Sequence, residues 1–380
     1  MGDVVGGGDG VGLEVEVCCY AEGVEVTMST LYLTEQYSVV KLDGEVLRVD
    51  LPADSGRRQP GKVVRVPLAK VDQVMVLGDI TLTTPALHML MERRIPVHYL
   101  SAYGRSYGAL TADPAKNAGL RLAQYALHCD LPRRFGVARQ CVAGKLLNMR
   151  TTLLRYARDR DGEVAEALRG AAERIRGALR DVAVLVVPVQ ADSDDRMHGL
   201  GGLFGLEGCG SAAYYGVFGQ VLREGWGFPG RVKRPPTDPV NALLSFGYTV
   251  LTNQVVSLVC AVGLDPAVGV LHQPGFGKPA LALDLVEEFR PIIVDSVVIT
   301  MLNTGQIGQD DVVEELGMFR LGDEARKAFL TRLEERLNTT VQHPVFGYKT
   351  SYRRCIELQV RLFAKYAQGE IGQYVPFTVR

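Results

Sequence analysis

The residues of this 380-residue chain that could do chemistry lie mainly in its second half. Glu207 lies in a Gly-rich stretch, and His272 precedes a loop containing Gly and Pro. Asp284 and Glu287 follow that loop three positions apart, so they share one face of a predicted helix, and Glu288 lies about 100° around the helix from Glu287. Carboxylates with one neutral imidazole can hold Mg²⁺ or Mn²⁺. Such an ion neutralises charge on a phosphodiester and activates an attacking hydroxyl.

Each of these residues also has an ordinary structural interpretation. A Glu in a Gly-rich turn is usually solvated, and a lone His usually makes a structural hydrogen bond. Acidic side chains on an amphipathic helix usually lie on its solvent-exposed face. The loop Gly275–Pro279 (GFGKP) lacks the length and the Lys-Ser/Thr ending of a Walker phosphate loop. Spacing alone is therefore a weak signal of a metal site.

The charge of the chain is unevenly distributed, although its formal net value is only −1. Residues 1–30 carry six acids and no Lys or Arg, whereas residues 121–180 carry thirteen Lys/Arg against six Asp/Glu. Residues 319–380 carry eleven Lys/Arg against six Asp/Glu. Because a polyanion binder needs only one positive face, this distribution is compatible with DNA binding by phosphate contacts.

The composition is that of an ordinary globular protein, with 47% hydrophobic and 22% charged residues. We expect no membrane span, because the most apolar runs, 249–263 and 291–302, are interrupted by polar side chains, and no signal peptide, because the start is acidic. The seven cysteines form no CxxC pair, which favours reduced thiols and a cytoplasmic location.

Two periodicities divide the chain and predict an α+β fold, in which an N-terminal β-sheet domain precedes a larger, mostly α-helical domain that would hold the metal. We predict an acidic, Gly-rich extension at 1–27, a β-rich domain at 28–112, a linker at 113–119 and a helical catalytic domain at 120–380. A tight turn at Asp43-Gly44 should join two strands.

Individual elements follow from the same patterns. Strands are predicted at Leu31–Leu33, Ser38–Leu42, Val46–Val49, Lys62–Val66, Val71–Leu77, Pro96–Leu100 and Gly108–Thr111. Helices are predicted at Ala86–Glu92, Leu120–His128, Phe135–Asp159, Val164–Leu179, Gly210–Leu222, Val240–Val262, Ala280–Leu302, Ala325–Thr339 and Tyr352–Gln368. This pattern places Glu207 just before a helix, and Pro291 should kink or divide the helix that contains it.

Several motifs closely resemble one known family. They are Gly205–Tyr215 (GLEGCGSAAYY), Asp238–Tyr248 (DPVNALLSFGY), Leu271-His272, Gly277-Lys278 and Leu281–Pro291 (LALDLVEEFRP), with Leu31-Tyr32 and Thr83–Leu87 upstream. The family is the CRISPR-associated integrase-endonuclease that inserts new spacers, often called CRISPR-associated protein one. The resemblance spans roughly Leu31 to Gly369.

The resemblance implies a concrete activity. Family members form homodimers, with the β-sheet domain serving dimerisation, and two dimers flank a small partner subunit. The complex captures a short DNA duplex, and each free 3′-hydroxyl attacks a phosphodiester of the repeat array. The metal ligands of the family fall on Glu207, His272 and Glu287, and Asp284 matches a nearby acid that serves as a secondary ligand or orients the site.

The resemblance also implies DNA contacts. Tyr248 matches a family tyrosine near the active centre, and Lys278 stands where relatives usually carry Arg. Arg231, Lys233 and Arg234 lie in a Pro-rich loop that could present cations to DNA, or could simply be solvated.

Two other functions remain open from the sequence. One is a DNA-binding scaffold without catalysis, including a scaffold for branched DNA. The other is a zinc hydrolase of small substrates, since a Glu/His/Glu set can hold zinc.

Overall fold

Two four-stranded sheets form the N-terminal part of this computed structural model. The strands are β1 Thr30–Leu33, β2 Val39–Asp43, β3 Val46–Asp50, β4 Val63–Pro67, β5 Gln73–Leu77, β6 Thr81–Leu82, β7 Val97–Leu100 and β8 Ser106–Leu110, with one helix, α1 Thr84–Glu92. One sheet has the order β1-β5-β7-β8 and the other β4-β3-β2-β6. The expected turn joins β2 to β3, and Gly44 takes the positive φ of 59° that a tight hairpin requires.

The structure describes residues 30–53, 61–112, 117–187, 200–223, 225–232, 235–315 and 317–379. The predicted extension at 1–27 and most of the predicted linker lie outside these ranges, as do Lys233 and Arg234.

Strand β5 is buried on both faces because it lies between two hydrophobic cores. Met75 and Leu77 point into the large core formed with the helices, whereas Val74 and Val76 point into a smaller core between the sheets. Successive side chains of a strand face opposite sides, so a continuous apolar run is what such a strand requires. The sheet is thereby fixed against the helical part of the chain.

Nine helices among the described residues form the rest of the fold. They are α2 Ala118–Cys129, α3 Leu131–Arg158, α4 Gly162–Val184, α5 Gly201–Phe218, α6 Pro239–Val262, α7 Ala280–Val286, α8 Ser296–Thr304, α9 Asp323–Asn338 and α10 Tyr352–Ala367. The predicted α+β class is confirmed. Two short hairpins were not predicted, namely β9 Val312–Glu315 with β10 Met318–Leu321, and β11 Thr340–Gln342 with β12 Lys349–Ser351.

Helix α6 runs through the centre of the helical core. Asp238 caps its start by accepting a hydrogen bond from the backbone N–H of Asn241 at 2.8 Å, Pro239 occupies the first turn, and Gly263 ends it with φ of 100°. By length and composition alone α6 could cross a membrane, but 78% of its most apolar stretch is buried within the fold. This burial is what a core helix requires.

The predicted helix at Ala280–Leu302 is divided, as Pro291 led us to expect. Helix α7 ends at Val286, a wide π-helical turn covers Pro291–Asp295, and α8 begins at Ser296. Proline has no N–H to donate and its ring excludes the regular helical bond, so the backbone widens there. The segment between the two helices carries Glu287 and Glu288.

Candidate active site

Glu207 lies inside α5 rather than before it, which corrects our placement of this residue in a Gly-rich turn. Helix α5 begins at Gly201, nine positions before the predicted start, because packing against α3 and α4 overrides the low helix propensity of its glycines. Gly210 is needed there, since a Cβ at this position would overlap the side chain of Leu146 on α3. Glu207 Oε1 accepts a hydrogen bond from Ser211 Oγ at 2.8 Å, one turn further along the helix.

His272 is held by Asp284, as the loop between them suggested. The fully buried Asp284 carboxylate accepts hydrogen bonds from the backbone N–H groups of Val270, Leu271 and His272, at 2.6, 3.0 and 2.8 Å. Its Oδ1 also lies 2.7 Å from His272 Nδ1. Because a carboxylate can only accept here, Nδ1 donates, and Nε2 is the ring nitrogen left for a ligand. Asp284 therefore lies behind His272 and orients it.

Glu287 is a buried carboxylate between two cations. Arg290 Nη1 donates to its Oε1 at 2.6 Å, and Lys145 Nζ lies 2.7 Å from its Oε2. Burial by itself would raise the pKa of Glu287, but Arg290 and Lys145 outweigh it and lower that pKa to about 2. Glu287 is therefore ionised at any physiological pH.

One cavity brings the three predicted ligands together. Glu207, His272 and Glu287 line a space of about 150 Å³, whose remaining walls are Val142, Lys145, Phe204 and Leu271. Lys145 forms ion pairs with both Glu207 and Glu287. As placed here, no three His, Cys, Asp or Glu side chains in the described ranges stand close enough together to hold an ion.

Glu288 faces away from this cavity and binds the C-terminal tail. It accepts hydrogen bonds from Tyr374 OH and the Phe377 backbone N–H, both at 2.7 Å, and from Gln359 Nε2 at 3.2 Å. Burial raises the pKa of Glu288 to about 8, against the opposing effect of these donors. The two adjacent glutamates thus differ in their contacts. Glu287 faces the cavity, whereas Glu288 binds the C-terminal tail.

The residues expected to contact DNA are largely engaged within the protein. Tyr248 is buried, its hydroxyl donates to Asp295, and its ring lies about 5 Å from the guanidinium groups of Arg231 and Arg290. Arg231 also donates to Asn241 Oδ1 at 2.7 Å and Ser245 Oγ at 3.0 Å.

Lys278 is half-buried and pairs with Gly275 in a short bridge next to the cavity-lining segment. Lys233 and Arg234 lie outside the described ranges.

Sequence reasoning missed Lys145 and Arg290. A signal for Lys145 was present, because it follows Cys141 and Val142 at helical spacing and therefore lies on the apolar, buried face of α3. A lysine on such a face needs a buried anionic partner. The partners could not be identified without the contact between α3 and α5.

Comparisons with known proteins point to one family. A family model described as CRISPR associated protein Cas1 matches residues 31–335. The CRISPR-associated endonuclease Cas1 3 of Thermus thermophilus is 34% identical over 355 residues, which cover 93% of this chain and 98% of that protein. A CRISPR-associated exonuclease Cas4/endonuclease Cas1 fusion of Geobacter sulfurreducens is 38% identical over 356 residues, which cover 92% of this chain and 60% of the fusion.

A solved chain of a Cas6-RT-Cas1–Cas2 complex shares the fold, with a TM-score of 0.74 and 26% identity over 96% of this chain and 37% of that one. The family model covers most of the described chain and the Thermus relative matches over nearly its whole length. The chain therefore belongs to the Cas1 family of CRISPR-associated endonucleases.

Proposed function

We propose that this protein is a metal-dependent DNA endonuclease and integrase of CRISPR adaptation, which joins the 3′-hydroxyl ends of a short captured duplex into the repeat array. The observation that carries the proposal is the convergence of Glu207, His272 and Glu287 on one cavity, from α5 and from the segments before and after α7. Membership of the Cas1 family supports the nuclease class.

Two carboxylates and an imidazole are the donor types that Mg²⁺ or Mn²⁺ binds, and they would have to draw closer together than they stand here to share one ion. His272 offers Nε2 because Asp284 engages Nδ1, the arrangement in which a carboxylate orients a metal-binding imidazole. Glu287 Oε2 is buried, and the cation beside it is Lys145 Nζ at 2.7 Å. Glu207 supplies a second carboxylate at the cavity. When bound, the ion would polarise the scissile phosphate and stabilise the charge that develops on its oxygens.

The reaction we assign to the site is a transesterification. A 3′-hydroxyl oxygen of the captured duplex forms a bond to a repeat phosphorus, and the bond from that phosphorus to its former 3′-oxygen breaks. The attacking hydroxyl loses a proton and the leaving 3′-oxygen gains one, so no covalent enzyme intermediate is required. Glu207, His272 and Glu287 are the catalytic residues in this proposal, and Asp284 is a positioning residue.

DNA contacts form a second part of the proposal. Lys278 is half-buried and lies in the segment that follows His272, so its ammonium could bind phosphate near the reacting end. Tyr248 would act indirectly, since its ring lies 5.0 Å from the guanidinium of Arg290, which binds Glu287. Arg231 would also act indirectly, since it is engaged with Asn241 and the Tyr248 ring. Lys233 and Arg234 remain candidates for contacts with the DNA backbone.

The proposed assembly is a cytoplasmic homodimer that works with a small CRISPR-associated partner subunit on double-stranded and branched DNA at the repeat array. The Cas6-RT-Cas1–Cas2 complex, one chain of which shares this fold, supports a partner of this kind.

The test is joining of a labelled duplex to a plasmid that carries a repeat array, with Mg²⁺ or Mn²⁺. His272→Ala should abolish joining, and His88→Ala, an exposed histidine on α1, should not change it. Undiminished joining by His272→Ala would reject the assignment. Binding of branched DNA without joining or cutting by the wild type would indicate a scaffold, and tightly bound zinc without DNA affinity would indicate a zinc hydrolase.

A further inference from the structure

Lys145 occupies a position in the active-site cavity that nothing in the donor set requires. Its side chain is only 9% exposed, on the buried face of α3, and its ammonium forms ion pairs with Glu207 Oε1 and with Glu287 Oε2. These carboxylates are the ones that the proposed function assigns to a divalent cation. The same two anions therefore have two candidate cations, one covalently part of the chain and one from solution.

The two cations compete by simple electrostatics. Without a positive charge between them, two carboxylates in a poorly solvated cavity repel each other, and each loses hydration that nothing replaces. An ammonium between them removes this repulsion. If it stayed in place, however, it would repel an arriving divalent ion, and the effect would be large because charges in such a site are weakly screened.

We propose that Lys145 is an exchangeable counter-ion, which holds Glu207 and Glu287 together in the metal-free protein and leaves them when Mg²⁺ or Mn²⁺ binds. The affinity for metal is then set by an exchange of cations rather than by filling of a preformed ligand set. This inference rests on the proposed metal site and adds a determinant of its affinity.

Three features of the site suit an exchange. The lysine stem has several rotatable bonds, and it lines a cavity of about 150 Å³ rather than a close-packed core. Arg290 binds the other oxygen of Glu287, so withdrawal of Lys145 does not leave that buried carboxylate without a cation. Glu207 is 22% exposed and keeps its hydrogen bond from Ser211, so it also tolerates the change.

The experiment measures Mn²⁺ binding directly, without DNA. The electron paramagnetic resonance signal of free aqueous Mn²⁺ gives the Kd for the wild type, for Lys145→Met and for Lys365→Met. The last variant is the control, because Lys365, on α10, forms an exposed ion pair with Glu370 beyond the end of that helix, at 3.5 Å. The His272→Ala variant should lose Mn²⁺ binding, and this loss assigns the measured binding to the cavity.

Lys145→Met should bind Mn²⁺ about tenfold more tightly than the wild type, a coupling of ordinary size for two linked sites. Lys365→Met should bind like the wild type. In chelator, Lys145→Met should have a lower Tm than the wild type, and Mn²⁺ should raise its Tm by more. Adding Glu207→Gln to Lys145→Met should restore part of the metal-free Tm, because it removes one of the repelling charges.

Equal or weaker Mn²⁺ binding by Lys145→Met would overturn the proposal while leaving the metal site intact. Absence of binding in the wild type would remove the metal site and the proposal together. If Lys145→Met does not fold in chelator, Lys145→Arg provides the second test. Its guanidinium can pair with both carboxylates at once, so it should weaken Mn²⁺ binding, and unchanged binding would overturn the proposal.

Discussion

The Nδ1 atom of His272 lies 2.7 Å from Oδ1 of Asp284, whose other oxygen is bound by backbone N–H groups of the same loop. The loop and the imidazole are thereby fixed by one buried carboxylate. This pairing explains how a residue in an irregular segment can present one defined nitrogen to the cavity.

We predict that Asp284→Asn weakens Mn²⁺ binding by about 10- to 100-fold, the usual effect of changing a residue that orients a metal ligand. An amide has only one acceptor oxygen and turns its NH₂ toward groups that also donate. Titration of Mn²⁺ at a temperature where the variant is folded checks the prediction, and the joining rate should fall in parallel. Asp161→Asn, on the exposed surface before α4, is the matched control and should behave like the wild type.

Stability should depend on pH through His98. This histidine of β7 is 1% exposed and contacts Ser257 of α6, and burial lowers its pKa to about 4. The unfolded chain takes up the proton near pH 6.5, so it binds more protons than the folded chain between pH 6.5 and 4. The free energy of unfolding therefore falls as pH falls through that range, by up to about 3 kcal/mol.

Chemical denaturation at several pH values checks this dependence. His98→Gln cannot take up a proton, so its stability should change less between pH 6.5 and 4 than that of the wild type. Parallel pH dependence in the two proteins would contradict the prediction.

We predict that Gly269→Ala destabilises the protein by about 1–3 kcal/mol, the usual cost of overpacking. A Cβ there would lie 2.8 Å from the Ala280 carbonyl carbon and 2.5 Å from Asp284 Oδ2, so the loop would have to move. Because Asp284 orients His272, metal affinity should fall as well. Gly177→Ala is the control, since a Cβ in that part of α4 meets nothing and alanine favours the helix by up to about 1 kcal/mol. Equal stability of the two variants, measured by urea denaturation, would refute the argument.

Phe377→Ala should lower the free energy of unfolding by about 3–5 kcal/mol, as expected for a buried aromatic ring. Phe377 is 1% exposed, and its ring stacks on that of Phe289 with centroids 5.1 Å apart. Its backbone N–H also binds Glu288, the neighbour of Glu287, so the change should loosen the proposed metal site. Val375→Ala, at a 41% exposed position of the same tail, should cost less than about 0.5 kcal/mol in the same denaturation measurement.

The sequence predicted those parts of the site that depend on local order. The loop after His272 returns the chain to Asp284, and Pro291 divides the helix that follows. The role of Lys145 could not be predicted from the sequence. Its pairing with Glu207, 62 positions away, depends on how α3 packs on α5. The short strands β9 to β12 were also missed, because segments of three or four residues carry too little periodicity to be recognised.

Strand β5 has a consequence for how the protein would respond to a protease. Its alternate side chains, Met75 and Leu77 on one side and Val74 and Val76 on the other, complete two different cores. Cleavage of the chain between β8 and α2 should therefore not release two stable fragments. Each separated fragment would expose to solvent an apolar surface that is buried in the intact protein. The two fragments should remain associated under native conditions and should separate only when the protein is denatured.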